Sequence, residues 1–397
     1  MNSESQTRKK IFFVLFISIF SCTLGVGIIV PILPIYAETL GATGFWLGAI
    51  FAGFSLSRTI SMPLVGRFSD RMGRKRFISF GLLVYTFSSL GYIYANSALE
   101  LIVVRIIQGF SSAMIIPIAM AFIADISPPE KEGSYMGIFT IALFLGFGCG
   151  PLLGGFTKDF ISMEADFLIM GGLCLLAFFM VLIYLPRSSS IQKSTPPMDI
   201  PFKTILQSRS IMGICFYRFA SAFCRGSIIT FLPLYAHNAL QLNASQIGLV
   251  ISSSILLTAV LQFPFGKLAD KLNRRMLIIL GSILYFSIVP LIPYTLNFIQ
   301  ILTLNIILGL FSALSLPAAS ALIVVEGKHY GMGSTMAIFN VAMSVGLGIG
   351  PLASGVVLDI WGLSGVFYFC TILGFLGTGI VALLFSKRFN PQHKETE

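Results

Sequence analysis

Apolar runs long enough to cross a bilayer recur from one end of this chain to the other, and nothing else in the sequence limits its fold so strongly. A membrane-spanning helix needs about 20 consecutive apolar residues. Reading the runs between polar breaks gives twelve spans: 11–36, 44–66, 77–95, 101–124, 134–156, 166–186, 210–235, 245–266, 277–295, 299–325, 334–357 and 364–386. Of the 397 residues 56% are hydrophobic and 11% charged, whereas a soluble domain carries about a quarter of charged residues. Soluble α/β enzymes, disordered scaffolds and disulfide-rich secreted domains are thereby excluded. The first run follows the basic cluster Arg8, Lys9 and Lys10 and is too long for the core of a secretory signal, so it reads as a retained first span.

Charge placement orients these spans. With the N-terminus in the cytoplasm, the inner segments hold 21 of the 26 Lys and Arg, and the outer loops hold only Lys158. The positive-inside rule then puts both termini on the cytoplasmic side of the cell inner (plasma) membrane. The net charge of +10 is accounted for by topology and contact with lipid, and a nucleic-acid partner is not indicated. All six cysteines fall inside apolar runs without paired spacing, which points to packing and to neither disulfides nor a metal site. No cofactor motif is visible.

The chain repeats itself at an offset of 200. Gly66/Gly266, Asp70/Asp270, Arg74/Arg274, Tyr85/Tyr285, Gly109/Gly309, Pro117/Pro317, Phe139/Phe339, Gly150/Gly350, Pro151/Pro351 and Asp159/Asp359 pair in one register. Spans 1–6 therefore correspond to spans 7–12, giving two six-helix bundles related by an axis along the membrane normal. The expected domains are an N-terminal bundle at 1–186, a polar, proline-bearing cytoplasmic linker at 187–208, and a C-terminal bundle with a short cytoplasmic tail at 209–397.

Two charged hairpins follow spans 2 and 8. The first is marked by Gly66, Asp70, Arg71, Gly73 and Arg74, the second by Gly266, Asp270, Asn273 and Arg274. Each pattern needs a close-packing glycine, a carboxylate to engage a base or a helix N-terminus, and a residue that tolerates a left-handed turn. In this doubled pattern the chain resembles the major facilitator superfamily, over nearly its whole length. Arg105-Ile106-Ile107-Gln108-Gly109 in span 4 matches a second pattern of that family. The stretch from Gly146 to Gly155 in span 5, with Pro31 to Tyr36 and Ala124 to Glu130, looks like its drug:proton antiporter branch. The resemblance implies a monomeric twelve-helix exporter with protons as the coupling ion. Gly146, Gly150, Pro151 and Gly154, with Gly350 and Pro351, form small-residue grooves. In the family these lie along the seam between the halves.

Four arginines sit within spans: Arg58, Arg105, Arg218 and Arg225. Charges in lipid are costly and face cavities or partners, so these four, with Gln108, Gln262, Asn305, Asn340 and Phe139, are candidates for contact with a small-molecule substrate. No acid is expected at comparable depth: Glu38, Glu100, Asp159, Glu164, Asp166 and Asp359 fall at the outer side, while Asp70, Asp125, Asp270 and Glu326 fall at the inner edge. The best proton-coupling candidates are accordingly the edge residues Asp125 and Glu38. Unpaired guanidinium favours an anionic or phosphate-bearing ligand. Two functions remain open at this point: export of amphiphilic small molecules by proton antiport, or movement of an organic anion without proton exchange. A membrane enzyme lacks a catalytic constellation, and a primary pump lacks a Walker motif.

Overall fold

A computed structural model describes residues 2–127, 132–186 and 207–386, and all of the regular structure in them is helical. Residues 187–206 of the linker, 387–397 of the C-terminal tail with His393, and Pro128 to Lys131 lie outside the described residues. The N-terminal half consists of α1 (Asn2–Ile29), the short α2 (Leu33–Thr39), α3 (Gly44–Met72), α4 (Arg74–Tyr94), α5 (Ala98–Ile126), α6 (Glu132–Phe160) and α7 (Met163–Tyr184). The C-terminal half consists of α8 (Arg209–Asn238), α9 (Ala244–Lys271), α10 (Arg274–Ile288) running into a 3₁₀ segment (Val289–Tyr294), α11 (Phe298–Tyr330) and α12 (Met332–Ser386). Eleven helices are long and apolar enough to cross a membrane, and α12 holds two of the spans, joined where Gly362 adopts φ 72°. Twelve spans result.

Helices of 28–30 residues such as α3 and α9 reach about 45 Å at ~1.5 Å per residue, more than the ~30 Å hydrocarbon core. They therefore run past the apolar windows read from sequence. The first span is shorter than expected and stops at Ile29, because Pro31 and Pro34 remove backbone donors; the chain turns there and resumes as α2. Pro290 and Pro293 tighten the end of α10 into 3₁₀ geometry in the same way. Apolar side chains cover the outside as well as the core: Phe87, Phe179 and Trp361 are all exposed, as contact with lipid demands.

We call the side on which α1 begins and α12 ends the terminal face, and the opposite side the far face. The two halves meet through α3 against α12 and through α6 against α9. Repeat-related residues make repeat-related contacts. A Cβ on Gly48 would strike the backbone of Pro351 and Leu352, and one on Gly248 would strike the backbone of Pro151. Gly44 abuts Gly355 as Ala244 abuts Gly155, and Leu56 reaches Gly348 as Leu256 reaches Gly148.

The glycine grooves correct an expectation. Gly146, Gly150 and Gly154 face Thr23, Gly27 and Ile28 of α1 in their own half, and Gly346 and Gly350 face Phe219 and Phe223 of α8. At about 100° per residue, the i, i+4, i+8 stripe of α6 is turned inward while neighbouring positions such as Gly148 and Gly155 form the seam. The helix lies between the halves, but the motif glycines serve the interior of one bundle.

The charged hairpins also differ from expectation in detail. Gly73 has φ 95° and needs to be glycine, whereas Asn273 has φ −65° and instead caps α10, its Oδ1 accepting from the N–H of Arg275 (3.0 Å) and Met276 (3.4 Å). Gly66 and Gly266 lie inside helices with nothing within 4 Å of an added Cβ, so no close packing is made there. They occupy the terminal-face ends of α3 and α9, beyond the reach of the opposite half.

Candidate functional site

The four intramembrane arginines divide between the halves and take different surroundings. In the C-terminal half, Arg225 of α8 lines a cavity of about 70 Å³ together with Ile228 and Ile229, Ser254, Ile255 and Thr258 of α9, Tyr285 of α10, and Asn305 and Ser312 of α11. From the N-terminal half only Phe144 reaches it. Arg225 donates to the Ser312 hydroxyl, and Asn305 turns its amide onto the Ile301 carbonyl at 3.0 Å. Behind Arg225 a narrower recess is lined by the hydroxyl-bearing side chains of Tyr217, Ser221, Ser282, Tyr285, Ser312 and Ser315. No carboxylate lines either space. The site is a cation and a set of hydroxyls set into an aliphatic wall.

The same place in the N-terminal half is filled. Arg105, the repeat mate of Asn305, is 2% exposed and lies over the rings of Phe51 and Phe54 at 4.8 and 4.9 Å. The corresponding residues of the cavity half are the smaller Ile251 and Ser254. Arg105 Nη1 donates to Gln108 Oε1 at 3.0 Å, which also accepts from the Tyr92 hydroxyl at 2.6 Å. Two sequence candidates, Arg105 and Gln108, are thus brought together as a buried network. Arg58 of α3 lies beside Cys22 and Tyr85, with an Nε that has no hydrogen-bond partner.

The remaining candidates are dispersed. Arg218 stacks on Phe339 at 4.8 Å and donates to Met343 Sδ at 2.7 Å, and it lines neither the cavity nor the recess. Phe139 is buried in the N-terminal core, Gln262 is half-buried and Asn340 exposed; none of them lines the cavity. Asp125 pairs with Arg74, which lies 3.5 Å from Asp70. Asp270 and Arg274 repeat that contact at 3.1 Å. Asp70, Arg71 and Asp270 are exposed, and every ion pair among the described residues stays within one half. Glu38 is exposed on the far face, where it accepts from Asn238, its repeat mate, at 2.9 Å.

Two further features carry weight that sequence reading did not give them. Asp159, at the end of α6, accepts from the N–H groups of Ala244 (3.1 Å) and Ser245 (2.7 Å), which open α9. Asp359 accepts from Gly44 (2.7 Å) and Phe45 (2.8 Å), which open α3. Each half thus presents a helix N-terminus to a carboxylate of the other, which favours the charge and satisfies orphan donors. The visible signal was their pairing at offset 200. The second feature is Asp166, which lies in the first turn of α7, at the far-face end of that helix, and is fully buried there.

A sequence-family model, Major Facilitator Superfamily, matches residues 15–237 and again 214–397. An uncharacterised MFS-type transporter of Methanocaldococcus jannaschii is 34% identical over 383 residues, covering 95% of this chain and 98% of its own. The quinolone resistance protein NorA of Staphylococcus aureus is 28% identical over 394 residues, covering 97% and 99%. Among solved structures, a bacterial homologue of the human lysosomal transporter Spinster superposes with a TM-score of 0.80 over 98% of this chain and 99% of its own, at 14% identity.

Proposed function

Since the chain belongs to the major facilitator superfamily and is a multi-pass membrane transporter, not an enzyme, we propose that it exports small amphiphilic molecules by alternating access through the Arg225 cavity. The single observation that carries this reading is the lining of that cavity. An aliphatic wall suits the apolar body of a ligand, while Arg225, Asn305 and the hydroxyls behind them suit a head group rich in acceptors. A guanidinium offers a planar fork of N–H donors and no acceptor, so an anionic head is preferred over a cationic one. The 28% identity to a quinolone resistance protein supports efflux of this class of compound.

Alternating access is supported by where the halves touch. Their close approaches run from the far face, at Gly44, Gly155, Ala244 and Gly355, to the middle, at Leu56 and Leu256. Toward the terminal face, Leu64, Phe68, Ile138, Phe263 and Val341 remain exposed. This arrangement suits a state closed at the far face. With the terminal face cytoplasmic, as the Lys and Arg distribution favours, it is the state that loads substrate from the cell.

The test is transport by purified protein in proteoliposomes, using anionic, neutral and cationic amphiphiles of matched size. Transport of the anion, lost in Arg225→Gln, is the expected result; equal transport of anions and cations, unchanged in the variant, would remove Arg225 from the site. A second reading, an organic-anion facilitator without proton antiport, is favoured by the absence of any carboxylate in the cavity lining. Anion transport insensitive to a protonophore and to a pH gradient would select it.

A further inference from the structure

Asp166 differs from the other described carboxylates, which reach solvent or a partner. It has no exposed surface, and neither of its oxygens accepts a hydrogen bond. Packing does not call for an acid there. The repeat mate of Asp166 is Val366, equally buried at 0% exposure, and the next residues, Phe167 and Phe367, are buried alike. The fold fills this position with valine in one half and with a carboxyl group in the other.

The groups around it are identifiable. From α6, Lys158 and Asp159 are the charges that act on it. Of the other helices in contact with α7, α1 and α4 carry their charged residues at the terminal face, and α5, whose Gln108 meets Met170, carries Arg105, which is turned onto Gln108. Tyr92 of α4 gives its hydroxyl to Gln108, Tyr36 of α2 gives its own to the carbonyls of Tyr92 and Ala95, and Glu100 and Glu164 are exposed. None of these donates to Asp166. A carboxylate buried without donors is strongly disfavoured against its neutral acid. Asp159, in contrast, needs its charge to hold the N-terminus of α9, and a second negative charge beside it would oppose that.

We propose that Asp166 is a proton-binding site that links far-face pH to closure of the far face. In the closed state the carboxyl is neutral. When Asp159 leaves Ala244 and Ser245, the end of α6 moves, and the two-residue turn Ile161-Ser162 carries the first turn of α7 toward water. The O–H bond of Asp166 then breaks, its proton passing to far-face water and the electron pair staying on the carboxylate. Closure reverses both events. The closed state therefore holds one proton more than the open state and gains population as far-face pH falls, by up to about tenfold per pH unit. This inference rests on the alternating-access reading, because it requires the far face to open.

The experiment is a distance measurement between spin labels at Leu99→Cys and Leu296→Cys, exposed far-face positions in opposite halves, in the full-length protein reconstituted in lipid nanodiscs. With the native Asp166, the short-distance population should grow as pH falls from about 9 to about 5. In Asp166→Asn it should be independent of pH and resemble the low-pH limit. Asp166→Val, which installs the residue of the repeat mate, should do the same and guards against a folding defect of the amide. Two populations whose balance ignores pH, or whose pH response survives both substitutions, would overturn the role of Asp166 and leave alternating access standing. A single distance at every pH would overturn both.

Discussion

Removing Asp159 should loosen the far face by an amount the structure allows to be worked out. Its carboxylate accepts two backbone N–H groups of α9, at 3.1 and 2.7 Å. Loss of an N-terminal cap costs about 0.5–2 kcal/mol, and the charge acting on the helix dipole adds about 0.3–1 kcal/mol. Since the site is partly in water, we take about 2 kcal/mol for Asp159→Ala in total. That corresponds to a roughly 30-fold rise in the open-to-closed ratio. Asp359→Ala should match it, because Asp359 makes the same two bonds to Gly44 and Phe45, and the double variant should approach the sum of about 4 kcal/mol. Hydrogen exchange reads the donors themselves. In Asp159→Ala the amides of Ala244 and Ser245 should exchange some 30-fold faster, and those of Gly44 and Phe45 should follow, because the halves separate as bodies. Unchanged protection at 244–245 would refute the capping argument. Faster exchange there with no change at 44–45 would refute the joint opening.

Four further outcomes are expected. Arg225→Gln should weaken binding of an anionic amphiphile by roughly 10- to 100-fold, as loss of a charge-assisted hydrogen bond implies, measured by titration calorimetry in detergent. Asp70→Asn should leave affinity unchanged and shift stability by less than about 0.5 kcal/mol, since its carboxylate is exposed and meets only Arg74; slowed transport would assign it to the conformational step, and normal transport would deny it one. Gly150→Ala should lower the melting temperature by several degrees, because the new Cβ strikes the backbone of α1, while Gly66→Ala should not, having open space around it. Gln108→Leu should cost about 1–3 kcal/mol of stability by stranding Arg105 and the Tyr92 hydroxyl, visible as earlier thermal unfolding with wild-type substrate affinity in the folded fraction.

The helical membrane fold and its doubling were legible because lipid leaves few alternatives: apolar length identifies a span, and the offset of 200 relates the halves. Span ends were less legible, since Pro31 ends α1 inside an apolar run and helices such as α3 continue as far as Met72 in polar sequence. At the site, intramembrane charge singled out all four arginines but could not say which of them faces a cavity. That choice is made by the neighbours' volumes: Phe51 and Phe54 close around Arg105, whereas Ile251 and Ser254 leave room beside Arg225. Ser312 and Tyr285 were passed over because a hydroxyl in a span carries no signal of its own. The burial of Asp166 was not legible, because a place in the first turn of a helix does not reveal what packs over it.

The unequal filling of two related bundles bears on how such a protein diversifies. In the N-terminal half the polar spot is stopped with the chain's own side chains, Arg105, Gln108 and Tyr92, so a substitution there unsettles a finished core. In the C-terminal half the same spot is a cavity, and Ile229, Ile255, Thr258 or Asn305 can change size or polarity while disturbing few internal bonds. Duplication has in this way separated two burdens that a single copy would carry together. On the proposed reading, one copy would be ballast, rigid enough to rock against, and the other a surface on which ligand preference is free to drift.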